Sequence, residues 1–333
     1  MKRMTLVVAV LALSGLVAAP AQATFPGRNG RIVFQRPVGR QVDLFTVQPS
    51  GAGLRRLTRT REWEERAEWS ADGQRLAFAR SAPSGEPTEI ATMDAAGGDL
   101  RVLTTFGSSS SSPTWSLDGR IAYFSLRDFP PPASDDDPPP PAELYSMAAD
   151  GTDQLRLTND TTIQTDPEWS PDGTTIAYAQ WYAVRGHPGE FDLGLSLMNR
   201  DGTNPRALLR QSARRDIVSH SWSPDGRRLV LEIATGRPSG RTRGSRQSDL
   251  AIVNADGTGL RFLTRTAALE ANPVWSPDGT RIAFTADRHA RRGRLERGGP
   301  AFELYTMRAD GTDIKRLTHN RVPDLHPDWQ PLR

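Results

Sequence analysis

The chain has 333 residues, 37% of them hydrophobic and 24% charged, with a formal net charge of +3 and no cysteine. That length and apolar content allow one large globular core, and the missing cysteines exclude disulfides, thiolate metal ligands and a cysteine nucleophile. Lys2 and Lys315 are the only lysines among 42 basic residues, and the arginines form no dense patch interleaved with aromatics, so no nucleic-acid surface is expected.

Residues 1–23 read as a secretory signal peptide. Lys2 and Arg3 form a charged start, Leu6 to Ala19 an apolar core, and Ala21-Gln22-Ala23 a small-x-small cleavage site. The apolar run, about 14 residues, is shorter than the roughly 20 needed to span a bilayer. No cysteine follows it, which excludes lipid attachment of the bacterial lipoprotein type. The mature body is then residues 24–333, one domain without a membrane span.

Gly30-Arg31-Ile32-Val33-Phe34 opens that body as a strand, followed by Asp43-Leu44-Phe45-Thr46-Val47 and, after a Gly-containing turn, Leu54-Arg55-Arg56-Leu57-Thr58. The same parts then recur behind a tryptophan. Trp275-Ser276-Pro277-Asp278-Gly279 runs into Ile282-Ala283-Phe284, and close copies begin at Trp169 and Trp222, with looser ones at Trp69 and Trp115. Pro, Asp and Gly are turn chemistry, and the flanking residues are strand formers, so each copy is a β-hairpin. A third strand such as Glu303-Leu304-Tyr305-Thr306-Met307 crosses Asp310-Gly311-Thr312 into a fourth, Arg316-Leu317-Thr318. Trp69, Trp115, Trp169, Trp222, Trp275 and Trp329 recur at intervals of roughly 50 residues, a period that points to a propeller.

The N-terminal three strands lack a Trp strand, and the C-terminal Trp329 strand lacks followers. Joined, they complete one blade. The fold expected is all-β: a six-bladed β-propeller of four-stranded antiparallel blades, closed by pairing the C-terminal Trp329 strand with the N-terminal three strands.

Taken together, the Trp-Ser-Pro-Asp-Gly-x-x-Ile-Ala-Phe unit, the Leu-Tyr-x-Met-x-x-Asp-Gly-Thr unit and Arg-Leu-Thr resemble the TolB-type β-propeller repeat over nearly all of residues 30–331. The resemblance implies the propeller part alone, without the α/β domain that precedes it in TolB. Similar repeats occur in propellers fused to peptidases and in sugar-lyase propellers, so function must be argued from the site.

Two loop sets share one face under this reading, and propeller function usually lies there. After the second strands, 126–142 carries Asp135-Asp136-Asp137 among prolines, and 180–192 carries Trp181, Tyr182, His187 and Phe191. Segments 234–248 and 287–297 are Arg-rich, with Arg243, Arg291 and Arg292 placed to bind an anion or an acidic polymer. Before the tryptophans, Glu65, Arg66, Asp166, His220, Asn272 and His326 should approach the channel mouth, where such a ring could hydrogen-bond a polar ligand or hold calcium or another divalent metal. The Asp of each Pro-Asp-Gly is a turn residue by its repetition. No catalytic residue is assigned, because no Gly-x-Ser-x-Gly elbow is present and the histidines share no repeat position.

The function expected is an exported, monomeric TolB-like scaffold, periplasmic or secreted, binding an envelope or extracellular protein or a polysaccharide through its long-loop face without a required cofactor. The alternative is a metal-assisted polysaccharide lyase or hydrolase centred on the channel mouth.

Overall fold

The computed structural model describes residues 24–83, 88–105, 109–129, 141–160, 162–183, 191–210, 215–235, 247–288 and 302–333. The leader, 1–23, lies outside the described residues. Every regular element among those described is a strand.

The first strands are β1 (Arg28–Val38), β2 (Gln41–Val47) and β3 (Arg55–Arg56); the next four are β4 (Trp63–Trp69), β5 (Arg75–Ser81), β6 (Thr88–Asp94) and β7 (Arg101–Val102). Then come β8 (Ser110–Trp115), β9 (Ile121–Ser125), β10 (Glu143–Met147) and β11 (Leu155–Arg156), followed by β12 (Ile163–Trp169), β13 (Thr175–Ala183), β14 (Phe191–Asn199) and β15 (Arg206–Leu209). The last are β16 (Arg215–Trp222), β17 (Arg228–Thr235), β18 (Gln247–Asn254) and β19 (Arg261–Phe262), then β20 (Glu270–Trp275), β21 (Arg281–Ala286), β22 (Glu303–Arg308), β23 (Lys315–Arg316) and, alone, β24 (Leu325–Leu332).

Hydrogen bonding groups them as four four-stranded sheets and one of eight strands. In the four-stranded sheets the Trp strand is innermost and the Arg-Leu-Thr strand is at the outer edge. The eight-stranded sheet differs from the expectation of separate four-stranded blades. Its halves, β24-β1-β2-β3 and β4-β5-β6-β7, meet at one parallel bridge between Val42 and Trp63. Across the same seam the Trp63 indole N–H donates to the Arg40 carbonyl at 2.8 Å. β24 pairs antiparallel with β1, Trp329 opposite Ile32, so the chain ends meet in one sheet.

The repeat motifs explain themselves as local structure. In each Trp-Ser-x-Asp-Gly turn the Ser hydroxyl donates to the Asp carboxylate, at 2.6 Å in Ser170–Asp172 and 2.7 Å in Ser276–Asp278. The same Ser oxygen accepts a backbone N–H four residues on in the Trp115 turn and five residues on in the others, at 3.0 Å from Thr175 and 2.9 Å from Arg281. The Gly has positive φ, 70° at Gly173 and 69° at Gly279, which costs a residue without Cβ little. The Thr of Arg-Leu-Thr accepts the third strand's backbone N–H, as Thr58 does from Leu44 at 3.0 Å and Thr318 from Leu304 at 3.0 Å. Its Arg pairs with an acid at or near the start of the third strand: Arg56 with Asp43 at 2.6 Å, Arg156 with Glu143 at 2.8 Å, and Arg316 with Glu303. Outer strands of two residues are thereby tied to their neighbours, and such short edges resist pairing with another chain.

The tryptophans are the wedges between sheets. Trp275 packs with Val230, Leu250 and Ile252 of the preceding sheet and with Ile282 and Phe284 of its own. Trp329 packs with Val274 and Leu304 on one side and Ile32 and Phe34 on the other. Cross-strand aromatic pairs lie beside them: Phe34–Phe45 at 5.8 Å, Tyr123–Tyr145 at 5.8 Å and Phe284–Tyr305 at 5.6 Å. The guanidinium of Arg36 lies 4.9 Å from the Phe45 ring and that of Arg127 4.5 Å from the Tyr145 ring, within cation–π range.

Candidate functional site: a polar plug in the channel

The innermost strands carry the same irregularity three residues before the tryptophan. Register shifts fall between Glu65 and Glu68, Ser111 and Thr114, Thr165 and Glu168, Ala271 and Val274, and, across from Val33 and Gln35, in β24. Each is a β-bulge whose first residue is left-handed: Arg66 (φ 56°), Ser112 (51°), Asp166 (52°), Asn272 (52°) and His326 (51°). β16 bulges one place earlier, between Ile217 and Ser219. Non-glycine residues held there cost on the order of 1 kcal/mol or more each, so the surroundings must fix them.

The surroundings are one another. Arg66 donates to Ser112 at 3.0 Å and to Asp166 at 3.2 Å, and Ser112 donates to the same Asp166 oxygen at 2.7 Å. The Asn272 side-chain Oδ1 accepts the His326 backbone N–H at 3.3 Å and the Thr285 hydroxyl at 3.3 Å. Contacts between three different sheets place this layer on the axis. All five residues are buried; Arg66 is 7% exposed and Asp166 1%. Burial pushes the Asp166 carboxyl up to about 6, against the pull of Arg66 and Ser112. Burial, with Arg66 nearby, holds the His326 imidazole well below its usual range.

A second layer lies one step nearer the tryptophans. Asp328 accepts the backbone N–H of Trp69 at 2.7 Å, Glu68 that of Trp115 at 2.8 Å, Glu168 that of Trp222 at 2.7 Å, and the Ser221 hydroxyl that of Trp275 at 3.4 Å. Each bond stitches one inner strand to the next. Burial holds the Glu168 carboxyl well above the carboxylate range, and the charges of Glu68 and Asp328 add to it. Burial likewise pushes Asp328 up to about 7, against the N–H groups of Trp69 and Trp329. His220 joins this layer rather than the first: its Nε2 stands 3.8 Å from Glu168, and burial lowers the imidazole to about 3, so it is neutral.

Arg66, Asp166, Asn272 and His326 thus share the position the sequence gives them, but on strands and not on loops. The strands begin earlier than the tryptophan motif suggests, and the bulge turns the side chains inward. Glu65, beside Arg66, accepts from Gln35 at 3.3 Å, and burial raises its carboxyl. Trp181, expected among loop aromatics, is 4% exposed and part of the core. Arg288 pairs with Glu270 and is held in place. Arg243, Arg291, Arg292, His187 and Asp135-Asp136-Asp137 lie outside the described residues. Sequence reasoning placed Glu168 with Asp166 ahead of Trp169, but missed Ser112 and the layer that Glu168 forms with Glu68 and Asp328. Aligning the repeats on the residue before each tryptophan would have exposed that layer, since three of those six positions are acids. Among the described residues, no three His, Asp or Glu side chains are grouped to hold a metal.

These sheets and their filled axis define a β-propeller closed on itself. Its repeat is of the TolB-like propeller type. Over 146 residues, 44% of this chain, it is 32% identical to the protein TolB homolog of Chlorobium luteolum, and over 148 residues it is 32% identical to the Tol-Pal system protein TolB of Anaeromyxobacter dehalogenans strain 2CP-C. The matched part spans 29% and 28% of those relatives, less than a third of their length. The crystal structure of TolB from Acinetobacter baumannii superposes with a TM-score of 0.68 at 21% identity, covering 97% of this chain and 70% of that one, a likeness of fold. No protein-family model matches the chain. Among the described residues, no helix is long and apolar enough to cross a membrane.

Proposed function

We propose that this chain is an exported, monomeric, six-bladed TolB-like propeller that binds an envelope or extracellular protein or a polysaccharide through its long-loop face. The blade count takes the eight-stranded sheet as two blades joined by the Val42–Trp63 bridge. Export, to the periplasm or beyond the cell, follows from the leader at 1–23. The observation that carries the binding reading is the polar plug. Arg66, Ser112 and Asp166 bond one another across the axis and are buried, so among the described residues the axis is filled by the chain's own side chains, and the segments that vary between repeats are left as the binding surface. A rigid ring needs no ordering of its own on binding. The names of the TolB relatives favour a partner in the cell envelope.

The test compares the whole chain with a variant in which 236–246 and 289–300 are each replaced by a short Gly-containing turn. Both are immobilised and challenged with separated envelope proteins and acidic glycans. The reading requires a ligand that the parent retains and the loop variant loses by about tenfold or more, about 1.4 kcal/mol. Equal retention by both, or cleavage of the glycan by the parent, contradicts it.

A further inference from the structure

Thr24 and Phe25, the first described residues, are buried inside the ring, at 1% and 2% exposure. Gly27 donates its N–H to the Pro277 carbonyl at 3.1 Å, at the turn end of β20. Three residues earlier, the Thr24 hydroxyl donates to the Trp275 carbonyl at 3.3 Å and shares a hydrogen bond with the Ser221 hydroxyl at 3.3 Å. The segment therefore runs up the axis, from the Pro-Asp-Gly turns toward the carboxylate layer to which Ser221 belongs. Phe25 packs in the same cluster as Trp115 and Trp169. Ahead of Thr24 in that direction lies the plug of Arg66, Ser112, Asp166, Asn272 and His326.

The layer that Thr24 reaches is short of positive charge. Glu168 Oε2 and Asp328 Oδ1 are buried and have no hydrogen-bond partner among the described residues. No Arg or Lys among those residues pairs with either carboxylate, Arg66 is committed to Asp166 at 3.2 Å, and His220 is neutral. Without a cation beside them, burial holds both groups protonated above the usual carboxylate range, and a cation with several donors would let them ionise.

We propose that the missing cation is the chain's own α-ammonium, made at Thr24 when the leader is removed, and that this processing completes the core of the ring. The proposal rests on the leader reading, with cleavage between Ala23 and Thr24. A leader peptidase hydrolyses that bond with one water, leaving a carboxylate on Ala23 and an amine on Thr24 that takes up a proton. An ordinary α-amine titrates near 7.7–8.0, so it is charged at neutral pH. Its three N–H donors serve Glu168 and Asp328, where the unprocessed peptide offers one uncharged N–H. Leader removal then acts as a maturation switch, stabilising the ring only after export.

The sequence supplies a clean test. After processing, Thr24 and Lys315 carry the only amines, and the Lys315 side chain is 62% exposed. The exported protein is first checked by mass for Thr24 as its first residue; a different first residue overturns the leader reading, and the proposal with it. With Thr24 confirmed, an amine-reactive ester at neutral pH should modify Lys315 promptly and the Thr24 amine at least about tenfold more slowly, because the buried amine reacts only through opening. Equal rates overturn the proposal. A second measurement uses the pair Glu168→Gln and Asp328→Asn, in the processed protein and in a chain carrying a short Gly-Ser extension before Thr24. The substitutions should lower Tm in the processed form, and leave it unchanged or raise it in the extended form. Equal shifts in both forms overturn the proposal.

Discussion

Arg66 and Asp166 show how one pair sets the character of the channel. Asp166 titrates at about 6, above its ordinary 3.8, because burial outweighs its partners. A carboxyl raised in the folded state contributes stability below the unfolded pKa and loses it as pH rises through the folded value, so the window here is pH 4 to 6. Asp166→Asn cannot ionise; its stability relative to the parent should improve from pH 4 to pH 7. Arg66→Met should behave oppositely. It should cost on the order of 3 kcal/mol at pH 7, where it strands a buried charge, and less at pH 4, where Asp166 is already neutral. Urea melts at the two pH values read both, and a cost of Arg66→Met that does not change with pH would contradict the assignment. The six repeat tryptophans carry a different burden: their indole N–H groups find no acceptor among the described residues. Their large buried area outweighs that loss.

At the scale of elements, the turns and strands were legible because their chemistry is local. Pro-Asp-Gly announces a turn, Ile-Ala-Phe alternates as a strand, and Arg-Leu-Thr marks a short edge, each within a few residues. The bulges were not legible. A bulge is a register offset against a partner strand, and nothing in Glu-Arg-Ala-Glu-Trp states how many residues oppose Phe78. That offset decides whether Arg66 reaches a loop or the axis, so the candidate residues were found but their setting was not. The carboxylate layer escaped because Glu68, Glu168 and Asp328 look like ordinary strand acids until the axis brings them together. The closing strand makes an element-scale prediction. β24 supplies the partner of β1 and, through Asp328, the acceptor for Trp69. Removing residues 327–333 should abolish the cooperative thermal transition of the whole domain. A truncated chain that melts like the full one would show that the β24–β1 pairing does not hold the ring.

At the scale of the molecule, stability comes from wedge and stitch together. Tryptophans fill the spaces between sheets, and side chains from one inner strand accept the backbone N–H of the next. A ring so closed has little inner-edge backbone left to bind anything, and its axis is occupied by its own polar side chains. On the proposed function, recognition belongs to the segments at the end away from the Pro-Asp-Gly turns, whose length and composition vary most between repeats in the sequence.

Loop recognition depends on the channel being sealed by its own plug. The chain has no cysteine, so Ser112→Cys places a single thiol in that layer, and Leu117→Cys, at a position 51% exposed, provides a surface reference. Thiol labelling of the two folded variants is the measurement to make. With the plug in place, Cys at 112 should react at least about a hundredfold more slowly, as a site that opens only through local unfolding requires. Labelling at 112 as fast as at 117 would mean an open, wet channel and would return the site to the axis.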